Sequence, residues 1–258
     1  MKYIQILFLF FSLIFLPKSG QAQKLKVAVA ANAQFVMEEI KQAFQKQSGI
    51  EVDLIISSSG KLTTQIQNGA PFDVFLSADM QYPAVLHRAG LTQAAPKIYA
   101  YGSLVLWTLD NEVPDKSLKM LTQANLRNIA IANPALAPYG EAAVSALKYY
   151  QLYDAVKNKL VFGESVAQVN QYITSGSASV GFTAKSVVLD PAMQGKGHWV
   201  EIDRKAYKPI AQGVVLLKTA TVPSAQKFYT FLFSPQAQAL FRKYGYLGSG
   251  QLTINNDQ

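Results

Sequence analysis

Four junctions along this 258-residue chain place small or hydroxyl residues where a helical pattern begins. Ala30-Ala31-Asn32-Ala33 follows one apolar run, and Ser57-Ser58-Ser59-Gly60 follows the next. Ala137-Pro138-Tyr139-Gly140 and Glu164-Ser165-Val166-Ala167-Gln168 stand at the same point of later units. A helix start leaves backbone N–H groups without partners and carries the positive end of the macrodipole. Small side chains let an anion approach those N–H groups, and Ser and Asn add donors of their own. Each junction also has a plainer use, because Ser and Asn commonly cap helices. Ser165 and Gln168 have the spacing of a capping box. A helix needs only one cap, so three successive hydroxyls at 57–59 suggest donors directed at something else. Several such starts in one crevice would hold a dianion with neutral donors and no Arg or Lys.

Other chemistries find little material. Ser58-Ser59-Gly60-Lys61 contains an S-x-x-K, and Lys218-Thr219-Ala220 echoes K-T-G, so a serine acyl-enzyme using Ser58 and Lys61 is the rival reading. The S-x-N or Y-x-N element of such enzymes is missing, and Ala220 stands where they carry Gly. A P-loop fails because Ile55 and Leu62 occupy positions that require Gly and Ser or Thr. His87 and His198 are the only histidines and have no partner at metal-ligand spacing.

The elements around the junctions alternate. Strands are expected at Leu25 to Ala30, Val52 to Ile56 and Asp73 to Ser77, with helices between them closed by Gly49, Gly69 and Gly90. The pattern restarts with strands at 104–107, 128–132, 160–162, 179–183 and 213–217, and ends in helices over 225–233 and 235–244. This alternation predicts an α/β fold with parallel sheets. Two such units without a long linker predict two lobes with a crevice between them. Ligands in such folds bind beyond the carboxyl ends of the strands.

Address and composition narrow the setting. Lys2, then an apolar run from Ile6 to Leu16, then Gly20-Gln21-Ala22 has the layout of a secretory signal peptide over residues 1–22, cleaved after Ala22. The chain has no Cys, which excludes a lipoprotein anchor, disulfides and thiolate metal sites. Half the residues are hydrophobic and 16% are charged, so a packed core is expected. The net charge of +8 falls to +6 without Lys2 and Lys18. Its Lys and Arg residues are scattered, which argues against a nucleic-acid partner.

Several blocks together resemble the periplasmic molybdate-binding proteins of ABC transporters. They are Val27 to Asn32, Ser57 to Leu62, Gln65 to Asp79, Ser234 to Gln238 and Phe241 to Tyr246. The resemblance implies a type II periplasmic-binding-protein fold with the ligand in the interlobe cleft. Lobe 1 would comprise residues 23–102 and 212–258, and lobe 2 residues 103–211. It implies capture of molybdate or tungstate in the periplasm by a monomer that delivers it to a membrane permease, with no cofactor and no catalysis. Molybdenum would be held only as the oxyanion, by Asn32 and Ser59 from one lobe and Tyr139 and Val166 from the other, with Ala31 and Ser58 beside them. Val166 would act through its backbone N–H. Well-known members carry Ser where this chain has Asn32 and a Tyr donor where it has Ala184; another branch has Asn at the first position and a Tyr matching Tyr139. The Tyr139 hydroxyl is therefore expected to replace the donor absent at Ala184. That lining has no carboxylate to accept a phosphate proton, which disfavours phosphate; sulfate remains the alternative oxyanion.

Overall fold

The computed structural model describes residues 24–111 and 113–248. The expected signal peptide, residues 1–22, lies outside them. Ten strands and nine helices follow one another along the described chain. The first unit runs β1 (Leu25–Ala30), α1 (Gln34–Ser48), β2 (Val52–Ser57), α2 (Ser59–Gln67), β3 (Val74–Ser77), α3 (Gln81–Arg88) and β4 (Lys97–Gly102). The second runs β5 (Leu104–Thr108), β6 (Ile129–Ala132), α4 (Pro138–Tyr149), α5 (Tyr153–Val156), β7 (Leu160–Gly163), α6 (Val166–Thr174), β8 (Val180–Ala184), α7 (Lys185–Val188) and β9 (His198–Glu201). β10 (Ile210–Leu216), α8 (Pro223–Phe231) and α9 (Pro235–Lys243) then return to the first unit.

Two five-stranded sheets result, ordered β2-β1-β3-β10-β4 and β7-β6-β8-β5-β9. Both have one plan. β1 runs parallel to β2 and β3, and β6 runs parallel to β7 and β8. An antiparallel strand, β10 or β5, then joins an antiparallel edge. The sequence reason is visible in the strands. Leu25–Ala30 and Ile129–Ala132 are nearly unbroken apolar runs, as strands covered on both faces must be. Helices α1, α8 and α9 pack over the first sheet through Phe44, Phe228, Phe231 and Phe241. A separate core gathers Trp107, Ile131, Leu147 and Phe182 over the second sheet.

Only Ser103 separates β4 from β5, so the chain leaves the first sheet and enters the second within one residue. It returns through residues 202–209 into β10, where Ile210 pairs with Gly102. The two crossings are therefore hydrogen-bonded neighbours and form one hinge. β4 and β9 escape the sequence pattern, and β10 begins earlier than expected.

Backbone crowding fixes the start of α4. A Cβ added to Gly140 would collide with the Ala132 carbonyl at the end of β6. Gly-to-Ala in a helix ordinarily stabilises by about 0.5–1 kcal/mol. Here the collision dominates, since overpacking costs about 1–3 kcal/mol. Gly140→Ala is expected to lower the urea midpoint with the slope unchanged; an equal or higher midpoint would show that α4 is free to shift.

Candidate anion-binding site

Four of the parallel strands end in short turns that aim helix starts at the gap between the lobes. β1 ends in the 3-10 turn Ala31–Ala33, which leads into α1. β2 ends at Ser57, with Ser58 capping α2. β6 leads to Ala137 and α4, and β7 leads to Ser165 and α6. One cavity is lined by Ala30, Ala31, Asn32, Ser58, Ser59 and Ala78 from the first lobe. Ala137, Pro138, Tyr139, Ser165 and Val166 line it from the second. All six residues expected as ligand contacts are among them. Its volume is about 10 Å³, far below the roughly 300–1,000 Å³ of pockets for organic ligands. It fits a small ion.

None of these lining residues carries a charge. Their donors are neutral. Ser59, Tyr139 and Val166 stand in the first turn of α2, α4 and α6, and Asn32 in the turn before α1, where backbone N–H groups lack intrahelical acceptors. Neighbouring N–H groups are engaged elsewhere: Gly60 donates to the Leu136 carbonyl at 2.9 Å, and Gly140 to Ala137 at 2.9 Å. The Ser58 hydroxyl accepts from Lys61 N and the Ser165 hydroxyl from Gln168 N, both at 3.4 Å, so these two side chains cap. Gln168 Oε1 accepts from Glu164 N at 2.7 Å, one residue before the N-cap N–H that a capping box would use. Ser59 differs. Its Oγ accepts from Ala78 N at 3.0 Å, which leaves its own proton to donate.

Of the side-chain or backbone donor expected from Asn32, the side chain is engaged elsewhere. Asn32 Nδ2 donates to Gln212 Oε1 at 2.8 Å and to Tyr246 Oη at 3.0 Å. Both amide protons are engaged, so Asn32 offers the cavity its backbone N–H. The expectation that the Tyr139 hydroxyl replaces a donor missing at Ala184 needs correction. That hydroxyl is packed so closely on Gly102 that a Cβ there would collide with it, and Gln212 lies beside it. Neither Gly102 nor Gln212 lines the cavity. Burial raises the Tyr139 phenol pKa well above normal, with Tyr246, Tyr207 and Tyr99 adding to the shift. Asn32 opposes it, yet Tyr139 Oη and Asn32 Oδ1 both lack a partner of hydrogen-bonding geometry. Ala184 is buried in β8, and the nearby hydroxyl of Ser186 donates to the Asn32 carbonyl at 2.6 Å.

The lobes meet around the cavity. Besides Gly60 and Leu136, Tyr82 Oη donates to the Ala135 carbonyl at 3.1 Å, and Lys61 pairs with Glu164 at 2.5 Å. This ion pair occupies the ammonium that an acyl-enzyme would use as base for Ser58. Asp79 and Glu141 line a neighbouring opening with Lys208, outside the cavity. Burial raises the pKa of both carboxyls. Ser77 Oγ donates to Asp79 Oδ1 at 3.0 Å, and Tyr82 N does so at 3.1 Å, so that carboxylate is turned onto its own turn.

Residues 25–247 match the family described as bacterial extracellular solute-binding protein. The chain belongs to this family. Within it, this solute-binding protein is 39% identical over 231 residues to the molybdate-binding protein ModA of Azotobacter vinelandii, covering 88% of this chain and 91% of the relative. Identity to ModA of Rhodobacter capsulatus is also 39%, over 229 residues, covering 88% and 89%. The solved periplasmic molybdate-binding protein of Azotobacter vinelandii superposes with a TM-score of 0.82 at 34% identity, covering 87% of this chain and 99% of that one. The family resemblance and the two-lobed α/β fold expected from the sequence blocks are thereby established.

Sequence reading missed Ala78, Gln212, Ser186 and Tyr246. A usable signal existed for Gln212, the single polar side chain in the strand Ile210–Leu216. The unpartnered phenol generates a test. A buried hydroxyl without a partner costs about 1–3 kcal/mol, so Tyr139→Phe is expected to unfold at the same urea concentration as the parent or a higher one. A loss above about 1 kcal/mol would mean that the hydroxyl has a partner after all.

Proposed function

We propose that this solute-binding protein captures molybdate, and tungstate with it, and hands it to the permease of an ABC importer. The observation that carries the reading is the convergence of four helix starts and the Ser59 hydroxyl on one uncharged cavity. Each helix start presents about half a positive charge through its N–H groups. Two lie on each lobe, so closure completes the site. Water exclusion then strengthens every hydrogen bond in it.

The lining also selects. Molybdate, tungstate and sulfate are acceptor-only at neutral pH, whereas hydrogen phosphate carries a proton that needs an acceptor. The cavity supplies donors and no carboxylate. A desolvated carboxylate would repel acceptor-only ions by several kcal/mol, roughly. Sulfate passes the same filter and is the second reading; the molybdate-binding relatives favour molybdate over it. The exported, periplasmic setting follows the same relatives and the N-terminal signal pattern. We read the protein as a monomeric carrier without catalytic function.

Calorimetric titration of the protein with molybdate, tungstate, sulfate and phosphate tests this. Tight one-to-one binding of the first two, weaker sulfate and no phosphate is expected. Sulfate preference would change the substrate and keep the site; heat from phosphate alone would remove the neutral-donor account. Ser59→Ala removes a charge-assisted donor and leaves Ala78 N without its acceptor. It is expected to weaken molybdate binding by about 1–3 kcal/mol, and unchanged affinity would take Ser59 out of the site.

A further inference from the structure

Gln212 sits on β10, just past the return crossing, and is fully buried. Its amide reaches the Asn32 turn directly and the Ser59 hydroxyl through Ala78, on the turn after β3. Nε2 donates to the Ala78 carbonyl at 3.2 Å and to the Ile210 carbonyl at 3.1 Å. Oε1 accepts from Asn32 Nδ2 at 2.8 Å. Ala78 in turn donates its N–H to Ser59 Oγ. A continuous path thus runs from Ser59 through Ala78 and Gln212 to Asn32.

The orientations in this path are forced. Two carbonyls face Nε2, so the amide can point only one way. Oε1 must then face Asn32, which fixes the Asn32 amide with its nitrogen toward Gln212. The second Asn32 proton goes to Tyr246 Oη, and Tyr246 Oη returns its own proton to the Asn32 carbonyl at 2.9 Å. Ser186 of the second lobe donates to that same carbonyl. An apolar side chain of equal volume at 212 would leave the Ala78 carbonyl and Asn32 Nδ2 each short of a partner.

We infer that Gln212 is a positioning residue for the anion site: its one amide sets the Asn32 turn and the Ser59 hydroxyl in register with each other. It touches no ligand and acts through Ala78 and Asn32. The inference rests on the oxyanion reading. Gln212 also lies on the hinge, beside Gly102 and the Tyr139 hydroxyl. The first-lobe donors are therefore referenced to the strand about which the lobes turn.

A double-mutant cycle with molybdate tests it. Gln212→Met keeps the volume and removes the amide, and is expected to weaken binding about tenfold or more. If the effect runs through the Ser59 hydroxyl, the same change made in Ser59→Ala should cost less than about threefold. Additive losses would overturn the coupling, because a merely structural role at 212 weakens both backgrounds alike. Should Gln212→Met fail to fold, Gln212→Glu decides. A protonated Glu can still donate to Ala78 O and accept from Asn32, while an ionised one cannot donate. Binding by Gln212→Glu should therefore come closer to that of the parent at pH 6 than at pH 8, and a pH-independent deficit relative to the parent would overturn the proposal. Absence of molybdate binding by the unmodified chain would instead overturn the oxyanion reading itself, and this inference with it.

Discussion

Every helix begins with N–H groups that its own hydrogen-bond ladder cannot satisfy. A side chain can meet part of the need, as Ser234 does at α9 by accepting from Ala237 N. At four starts the fold turns the unmet groups inward to one point. The rest of the architecture follows from that. Parallel strands β1, β2, β6 and β7 must end at the same gap, because each strand end is where a helix can begin. Small residues must flank those ends, because a larger side chain would stand between an anion and the backbone. Charged side chains must stay outside, so Asp79 and Glu141 face an adjoining opening and Lys61 pairs with Glu164.

The hinge and the site are one structure. β4 and β10 pair where the chain crosses between lobes, and Gly102 on one strand and Gln212 on the other face the same buried phenol of Tyr139. Four tyrosines, 99, 139, 207 and 246, gather near this point. Tyr246 makes three hydrogen-bonding contacts there, and burial raises its pKa to about 12, so it stays a neutral donor. The Tyr207 hydroxyl accepts from Leu104 N at 3.1 Å, on the strand that leaves the hinge. On the opposite side of the cavity, contacts from Gly60, Tyr82 and Lys61 join the lobes directly. An anion between these two sets of contacts bridges donors that neither lobe holds in full.

Much of this was legible in the sequence, for identifiable reasons. Leu25–Ala30 could be read as a strand because only Lys26 interrupts its apolar run and a helical period follows at once. Gly49 marked the end of α1 because that position takes a left-handed φ of 70°. The four junctions were visible as local composition, and all four line one cavity. What stayed hidden depends on contacts distant in sequence. Tyr139 could be placed at a helix start, but the direction of its ring is set by Gly102. Asn32 could be recognised as a donor, but its amide protons are claimed by Gln212 and Tyr246. β4, Lys97–Gly102, and β9, His198–Glu201, lack a clean alternation, since both are edge strands with partly exposed faces.

The central claim is that backbone N–H groups from four helix starts, two on each lobe, hold the anion. Amide chemical shifts report this directly, through a nitrogen-15 titration of the protein with molybdate. The account predicts that the largest downfield proton shifts occur together at Asn32, Ser59, Tyr139 and Val166, with saturation at one equivalent. Shifts confined to one lobe, or centred on the Lys and Arg side chains of the surface, would contradict it.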